Sequence, residues 1–293
     1  MKNTYFRIAD HVVRISTDDS MRLSTLIPSF GPFLCAECEP LITVNVTIKD
    51  TLADGEGDRI GEFDSGFGTY IVWQTATGYV IRHMGHGLPT HQIVANHDFT
   101  VAEAQLVSPQ YYGYGISNAV MLVFAFAAAS HQTLMIHSSV VRNVDCAYLF
   151  LGPSGTGKST HTSLWRSHIP GSDLVNDDNP ILRFIDGKTY VYGSPWSGKT
   201  PCYRSVRFPV AGITRLEQAP ENEIRRVEVL EALSVLITSV SNMRWDKRVN
   251  NAILATIGVM IGDVPIFHLR CLPDADAARL SFSTISALWK PSR

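Results

Sequence analysis

Residues 146–159 read CAYLFLGPSGTGKS, an apolar run that opens into Gly152, Gly155, Gly157, Lys158 and Ser159. This is the phosphate-cradling pattern G-x-x-x-x-G-K-[ST]. A backbone with few β-carbons can wrap a phosphate with its own N–H groups, while Lys158 supplies a point charge and Ser159 an oxygen for Mg²⁺. The flanks agree: residues 147–151 read as a buried strand and 159–168 as a helix start, so the loop lies where a helix N-terminus meets an anion. The expected architecture is α/β, and the expected ligand a nucleoside polyphosphate.

A chain of 293 residues with 45% hydrophobic and 18% charged content can bury a large core, as one large domain or two modest ones. Its 25 Lys and Arg nearly balance 27 Asp and Glu, and no basic block appears, so neither nucleic acid nor a membrane surface is the expected partner. Residues 1–17 spread their charges among apolar positions, unlike a signal peptide, and the most apolar stretch, 119–129, is too short to cross a bilayer. A soluble cytoplasmic protein is expected. Five cysteines, an odd and sparse set, fit a reducing compartment. The lone C-x-x-C of Cys35 and Cys38 lacks a second pair or a His pair in zinc spacing, and reads as incidental thiols.

Strand signals dominate the first part of the chain, at 5–15, 41–48, 68–75, 78–84 and 91–96, with turn clusters at 54–58 and 76–78. They predict an antiparallel, β-rich N-terminal lobe over 1–111. The second lobe, 112–293, opens with a long buried helix (115–130) and a strand (134–140) that turns through 142–145 into the loop strand. Further strands are predicted at 181–184, 189–193, 210–216 and 266–270. Helices are predicted at 227–239, 246–261 and 274–286, the last with Pro273 and Asp274 as a start signal.

About twenty residues beyond Lys158 comes SDLVNDDNP, where Leu174 and Val175 end a predicted strand that delivers Asp177 and Asp178. Adjacent carboxylates repel, and a divalent cation or a positive phosphate site beside them explains the pair best. One can hold Mg²⁺ while the other accepts a proton from an attacking hydroxyl. An Asp-Asn turn is the competing reading of the same residues. The segment YGSPWSGKTP (192–201) is a constrained loop that carries Trp196 and Lys199, with Arg204 close behind. These cations can neutralise transferred phosphoryl charge or hold an acidic substrate, beside Trp196. His137, in the preceding strand, joins the same cleft if the two strands pair.

Together IHSSVV, GPSGTGKST, LVNDDN and GSPWSGK resemble the kinase domain of bacterial HPr kinase/phosphorylase and its relatives, whose architecture is shared with phosphoenolpyruvate carboxykinases. The resemblance covers about residues 130–216. It implies a phosphoenolpyruvate carboxykinase-like P-loop domain with a mixed sheet, and ATP and Mg²⁺ as cofactors. The nucleotide contacts it implies are Gly152, Pro153, Ser154, Gly155, Thr156, Gly157, Lys158, Ser159 and Thr160. By position, Asp177 matches the family's general base, and Asp178 matches the metal-side carboxylate together with Ser159. The chain departs from HPr kinases at Thr160, where they carry Glu, and at Asn179, where they carry Arg. The Gly-rich segment that engages HPr is not evident, so the acceptor is not expected to be HPr.

The leading expectation is an ATP- and Mg²⁺-dependent kinase acting on a hydroxyl of a small molecule, peptide or protein. Lys158 serves the β- and γ-phosphates, Asp177 is the base, Lys199 or Arg204 clamps charge, and His137 stands beside them. A carboxykinase-like or phosphorolytic enzyme, or a non-catalytic nucleotide-binding module, are the alternatives.

Overall fold

The computed structural model describes residues 1–289 apart from 54, 56, 66 and 67. Two compact units divide it, Met1–Ala128 and the residues from Ala129 onward. The turn expected at 54–58 lies partly outside the described residues.

The first unit is an eight-stranded sheet in the order β1-β2-β3-β8-β7-β6-β5-β4. The run expected as one strand is a hairpin, β1 (Lys2–Ile8) and β2 (His11–Thr17), because Ala9 and Asp10 turn the chain at φ 46° and 63°. After the short helix α1 (Leu23–Leu26) comes β3 (Ile42–Ile48). The strands β4 (Asp58–Ser65), β5 (Gly68–Gln74), β6 (Gly78–Gly85), β7 (Leu88–Asn96) and β8 (Val101–Leu106) then pair as an antiparallel meander. The sheet is mixed rather than antiparallel throughout: β3 lies parallel to both β2 and β8, since the chain crosses over on either side of it.

Helix α2 (Tyr112–Ala127) closes this unit and packs on β3, β7, β8 and α1, where the sequence assigned it to the second lobe. The stretch Pro109–His131 has the length and mean hydropathy (1.4) of a membrane span, yet 67% of its most apolar window is buried, so its apolarity is that of a core helix. Two glycines permit the close fit. A β-carbon on Gly113 would stand 2.3 Å from the Leu26 carbonyl oxygen, and one on Gly115 would stand 2.8 Å from Leu106 Cδ2.

The second unit contains a nine-stranded mixed sheet that carries the glycine-rich loop of residues 152–157. Its strands are β9 (Thr133–Met135), β10 (Ser138–Asn143), β11 (Cys146–Leu151), β12 (Ser172–Asn176), β13 (Ile181–Ile185), β14 (Lys188–Tyr192), β15 (Arg207–Gln218), β16 (Glu223–Arg226) and β17 (Ile266–Cys271). The long β15 pairs with β14 at its start, then runs parallel to both β11 and β17. The helices are α3 (Lys158–His168), α4 (Val229–Ile237), α5 (Lys247–Asp263) and α6 (Ala275–Ser286), the last two capped by Asp246 and Asp274. Every residue of β11 is buried, as its uninterrupted apolar run requires. The helices α3 and α6 pack together beside this sheet, with Trp165 fully buried against Tyr148, Phe150 and Phe282 and its Nε1 donating to Ser281 Oγ at 2.9 Å.

A ring of buried polar side chains ties α2 to β5, β6 and β7. Asn118 Oδ1 can only accept, so His91 Nε2 (2.8 Å) carries the hydrogen, and His91 Nδ1 accepts from Thr90 Oγ1 (2.9 Å). Thr90 Oγ1 in turn accepts from His83 Nδ1 (2.8 Å), leaving His83 Nε2 to accept from the Tyr114 hydroxyl (3.1 Å). Asn118 Nδ2 donates to the Tyr70 hydroxyl (2.6 Å), and Tyr70 bonds Tyr114 to close the circuit. Burial keeps both imidazoles neutral, and in that state each link fixes the direction of the next. Burial lowers His83 and pushes His91 down to about 4 from 6.5.

Both groups bind protons less readily in the folded than in the unfolded chain, so their contribution is fully present above about pH 6.5 and is lost as pH falls toward 4. Urea unfolding at pH 7, 6 and 5 should therefore show the first unit losing stability on acidification. His91 alone contributes on the order of 3 kcal/mol across the whole window. A flat profile between pH 7 and 5 would show that these rings are not held neutral.

Candidate functional site

The loop after β11 is shaped by its glycines. Gly152, Gly155 and Gly157 all have positive φ (155°, 83° and 103°). A β-carbon on Gly152 would meet Thr156 Cγ2 at 3.0 Å, and Thr156 Oγ1 donates across the turn to the Pro153 carbonyl at 2.7 Å. Around Gly155 and Gly157 nothing lies within 4 Å of a β-carbon position. Gly157 starts α3 in the left-handed region and no side chain caps that helix, leaving its first amides free of side-chain competition for an anion. Ser159 and Thr160 are exposed on its first turn. Lys158 is 8% exposed and donates from Nζ to the carbonyls of Gly152 (2.7 Å) and Pro153 (3.2 Å). Gln218, at the end of β15, braces the loop by donating to the Gly155 carbonyl at 3.3 Å.

The acidic pair lies at the midpoint of a two-stranded ribbon and not in an isolated turn. Strand β9 pairs with β13, placing Met135 opposite Ile181, and β10 pairs with β12, placing Val140 opposite Asn176. Between these ladders Ser138 N donates to the Asp178 carbonyl (2.9 Å) and Ile136 N to the Pro180 carbonyl (3.2 Å), so the pairing carries across the gap. The predicted strand 134–140 is thus broken at His137, whose amide donates instead to the Ser239 carbonyl at 2.7 Å. This break brings His137 Nδ1 within 3.0 Å of Asp178 Oδ1.

The two carboxylates stand in different surroundings. Asp178 is 31% exposed and has a partner on each oxygen: Oδ1 faces His137 and Oδ2 accepts from Asn179 Nδ2 at 2.8 Å. Asp177 is 6% exposed; Oδ1 accepts from Ser139 Oγ at 2.7 Å, and Oδ2 is buried with no hydrogen-bond partner. Both act on Lys158. Burial pulls its ammonium below the ordinary value, and the charges of Asp178 and then Asp177 draw it back up.

The GSPWSGK loop is fastened to this pair by contacts that sequence reasoning did not see. Asn176, fully buried, accepts from Asp178 N (2.9 Å) through Oδ1 and donates from Nδ2 to Ser194 Oγ (3.1 Å) and the Trp196 carbonyl (3.0 Å). Ser194 Oγ contacts the Asn179 carbonyl at 2.6 Å. Lys199, expected to clamp charge, is exposed on this loop. Trp196, expected to meet substrate, is 7% exposed and buried among protein atoms. Arg204, the other expected substrate contact, has its guanidinium on the Asp173 carboxylate and the Leu174 carbonyl, at the base of β12. Asp173, part of a predicted strand, gave no sign of that role.

These features fit a nucleotide with Mg²⁺. The uncapped helix start and open glycine loop suit phosphate oxygens, and the unpartnered Asp177 Oδ2 calls for a positive charge. Among the described residues no three His, Cys, Asp or Glu side chains gather as a metal site. A cation held by Ser159, a carboxylate and phosphate oxygens, as Mg²⁺ commonly is, needs no such cluster.

No family model matches the chain, and no curated protein matches it. Among solved structures, the HPr(Ser) kinase/phosphatase from Coxiella burnetii is similar over 52% of this chain and 88% of its own, at 12% identity and a TM-score of 0.33. At that level the site stands on the chain's own residues.

Two glycine substitutions should have opposite effects. A β-carbon on Gly198 would lie 2.7 Å from the Asp177 carbonyl and 3.3 Å from Asp178 Cβ, so Gly198→Ala should displace the acidic pair and lower the melting temperature. Gly258, inside α5, has nothing within 4 Å of its β-carbon position, and Gly258→Ala should raise stability by about 0.5–1 kcal/mol. Thermal melts of the two variants check both signs.

Proposed function

We propose that the second unit is an HPr-kinase-like, Mg²⁺-dependent phosphotransferase that moves the γ-phosphoryl of ATP to a hydroxyl of a small molecule, peptide or protein. One observation carries this reading: the loop lysine and two carboxylates from the bend that follows β12 lie within electrostatic reach of one another beside an uncapped helix start. A structural turn would give the acidic pair no reason to face Lys158.

In this reading the backbone N–H groups of residues 154, 155 and 157–159, together with the Lys158 ammonium, hold the phosphates, and Mg²⁺, held by Ser159 and an acidic side chain, supplies charge neutralisation. Burial and bonding support a division of labour opposite to the one expected from position. Asp177, with a buried, unpartnered oxygen, suits the cation side. The accessible pair His137–Asp178 suits the hydroxyl side. Asp178 accepts the Nδ1 hydrogen, which turns the basic Nε2 of His137 outward, so that proton transfer from an acceptor hydroxyl can end on His137 or its partner. In this reading Lys199, exposed on the adjoining loop, meets an anionic group on the acceptor.

Lys158→Ala should abolish nucleotide binding measured by calorimetry. His137→Gln and Asp178→Asn should each lower phosphoryl transfer from radiolabelled ATP by roughly 10²-fold or more with nucleotide affinity retained. Asp177→Asn should instead weaken the Mg²⁺ dependence of binding. Full turnover in the Asp178→Asn variant would rule out the proposed proton route.

A further inference from the structure

Spacing alone leaves Cys35 and Cys38 as incidental thiols, but the fold gives them surroundings that spacing does not show. Both are half-buried, in a segment that follows a 3-10 turn (Pro28–Phe33) and is fastened along β1, an edge strand of the first sheet. Leu34 bridges Phe6, Cys35 N donates to the Tyr5 carbonyl at 3.0 Å, and the Tyr5 hydroxyl donates to Glu37 Oε1 at 2.8 Å. These attachments hold the bend between the cysteines in shape. The Cys38 thiol folds back over it to donate to the Ala36 carbonyl at 3.4 Å. Burial raises the Cys35 thiol above its ordinary value, and the charge and hydrogen bond of Cys38 raise it further, which puts the two sulfurs within reach of one another. They differ in what else they meet. Arg7 Nη2, from β1, donates to Cys38 Sγ at 3.4 Å. Cys35 lines a cleft of about 570 Å³ whose lining also includes Lys2 and Arg22. Among the described residues no acidic side chain lines that cleft.

We propose that Cys35 and Cys38 form a reversible dithiol–disulfide site, which exchanges with a low-molecular-weight disulfide that bears carboxylates. Cys35 Sγ, as thiolate, attacks one sulfur of the disulfide in the cleft. That S–S bond breaks, a mixed disulfide forms on Cys35, and the departing thiolate takes up the proton that Cys35 lost. Cys38 Sγ then attacks Cys35 Sγ, the mixed disulfide breaks, and the second half leaves with the Cys38 proton. Two protein thiols are oxidised to one disulfide while one small disulfide is reduced to two thiols. Arg7 stabilises the Cys38 thiolate that attacks in this direction and leaves in the other. Lys2 and Arg22 draw the carboxylates of the small disulfide to the cleft. The site lies wholly in the first unit and needs nothing from the phosphate-loop reading.

The full chain, equilibrated with mixtures of oxidised and reduced glutathione, acid-quenched, alkylated and mapped by mass spectrometry, tests it. A disulfide between residues 35 and 38 should rise with the oxidised fraction and revert when reduced glutathione is added in excess. Cys38→Ser should accumulate a glutathione adduct on Cys35, whereas Cys35→Ser should leave Cys38 unmodified. Arg7→Gln should slow reduction of the disulfide by about threefold or more. Arg22→Glu should slow oxidation by oxidised glutathione but not by the uncharged hydroxyethyl disulfide. Circular dichroism confirms that each variant is folded. The proposal is overturned if no disulfide joins residues 35 and 38 at any ratio, or if the Cys38→Ser variant carries no adduct on Cys35. It is equally overturned if Arg7→Gln is reduced at an unchanged rate, or if Arg22→Glu affects the charged and uncharged disulfides alike.

Discussion

A single buried amide, that of Asn176, holds the acidic pair in place. Its oxygen receives the Asp178 N–H while its nitrogen reaches Ser194 and the Trp196 carbonyl, so one side chain joins the end of β12, the following bend and the GSPWSGK loop. A fully buried amide must satisfy all of these groups at once, or carry the cost of an unpaired donor or acceptor. The ribbon of β9–β10 against β12–β13 supplies the other half of the restraint. Its continuous pairing sets Ser139 opposite Asp177 and His137 beside Asp178. Without both restraints, two adjacent carboxylates would swing apart into water, where their repulsion is screened.

The loop depends on a different kind of support. Strand β11 is buried along its whole length and is flanked by β10 and β15, so the point at which the chain leaves the sheet is fixed. Trp165 and its bond to Ser281 fix α3 against α6 in the same way. A mobile glycine-rich loop between a rigid strand and a rigid helix would be costly to order on binding a ligand; one already shaped by three glycines at positive φ loses little further freedom. Gln218, reaching from the end of β15, adds the brace on the open side.

The elements that were legible in the sequence are those with strong local patterns. The helices α5 and α6 begin where their aspartate caps stand, and β11 ends where the glycines begin. What escaped was polar or composed of small residues. Strand β4 carries Asp58, Arg59, Glu62 and Asp64, and β8 turns Ala102 and Ala104 inward, so neither shows the bulky apolar alternation that marks a strand. The hairpin at Ala9 and Asp10 was read as one strand because nothing in the residue types on either side changes. In the site, Lys158, Ser159 and the two aspartates were legible by type and spacing. Arg204 was read as a substrate contact because its partner, Asp173, lies 31 positions away in sequence.

By itself, the sequence determined that a strand must run into a glycine-rich loop and then a helix, since only small residues permit those backbone angles and only a continuous apolar run suits a strand buried on both faces. It also determined that two acids would stand at the end of a strand. Which of them is buried, which one His137 reaches, and how far Trp196 is withdrawn from solvent were decided only when distant strands paired. Burial and hydrogen bonding between residues far apart in the chain are properties of the packed whole, and no local pattern encodes them.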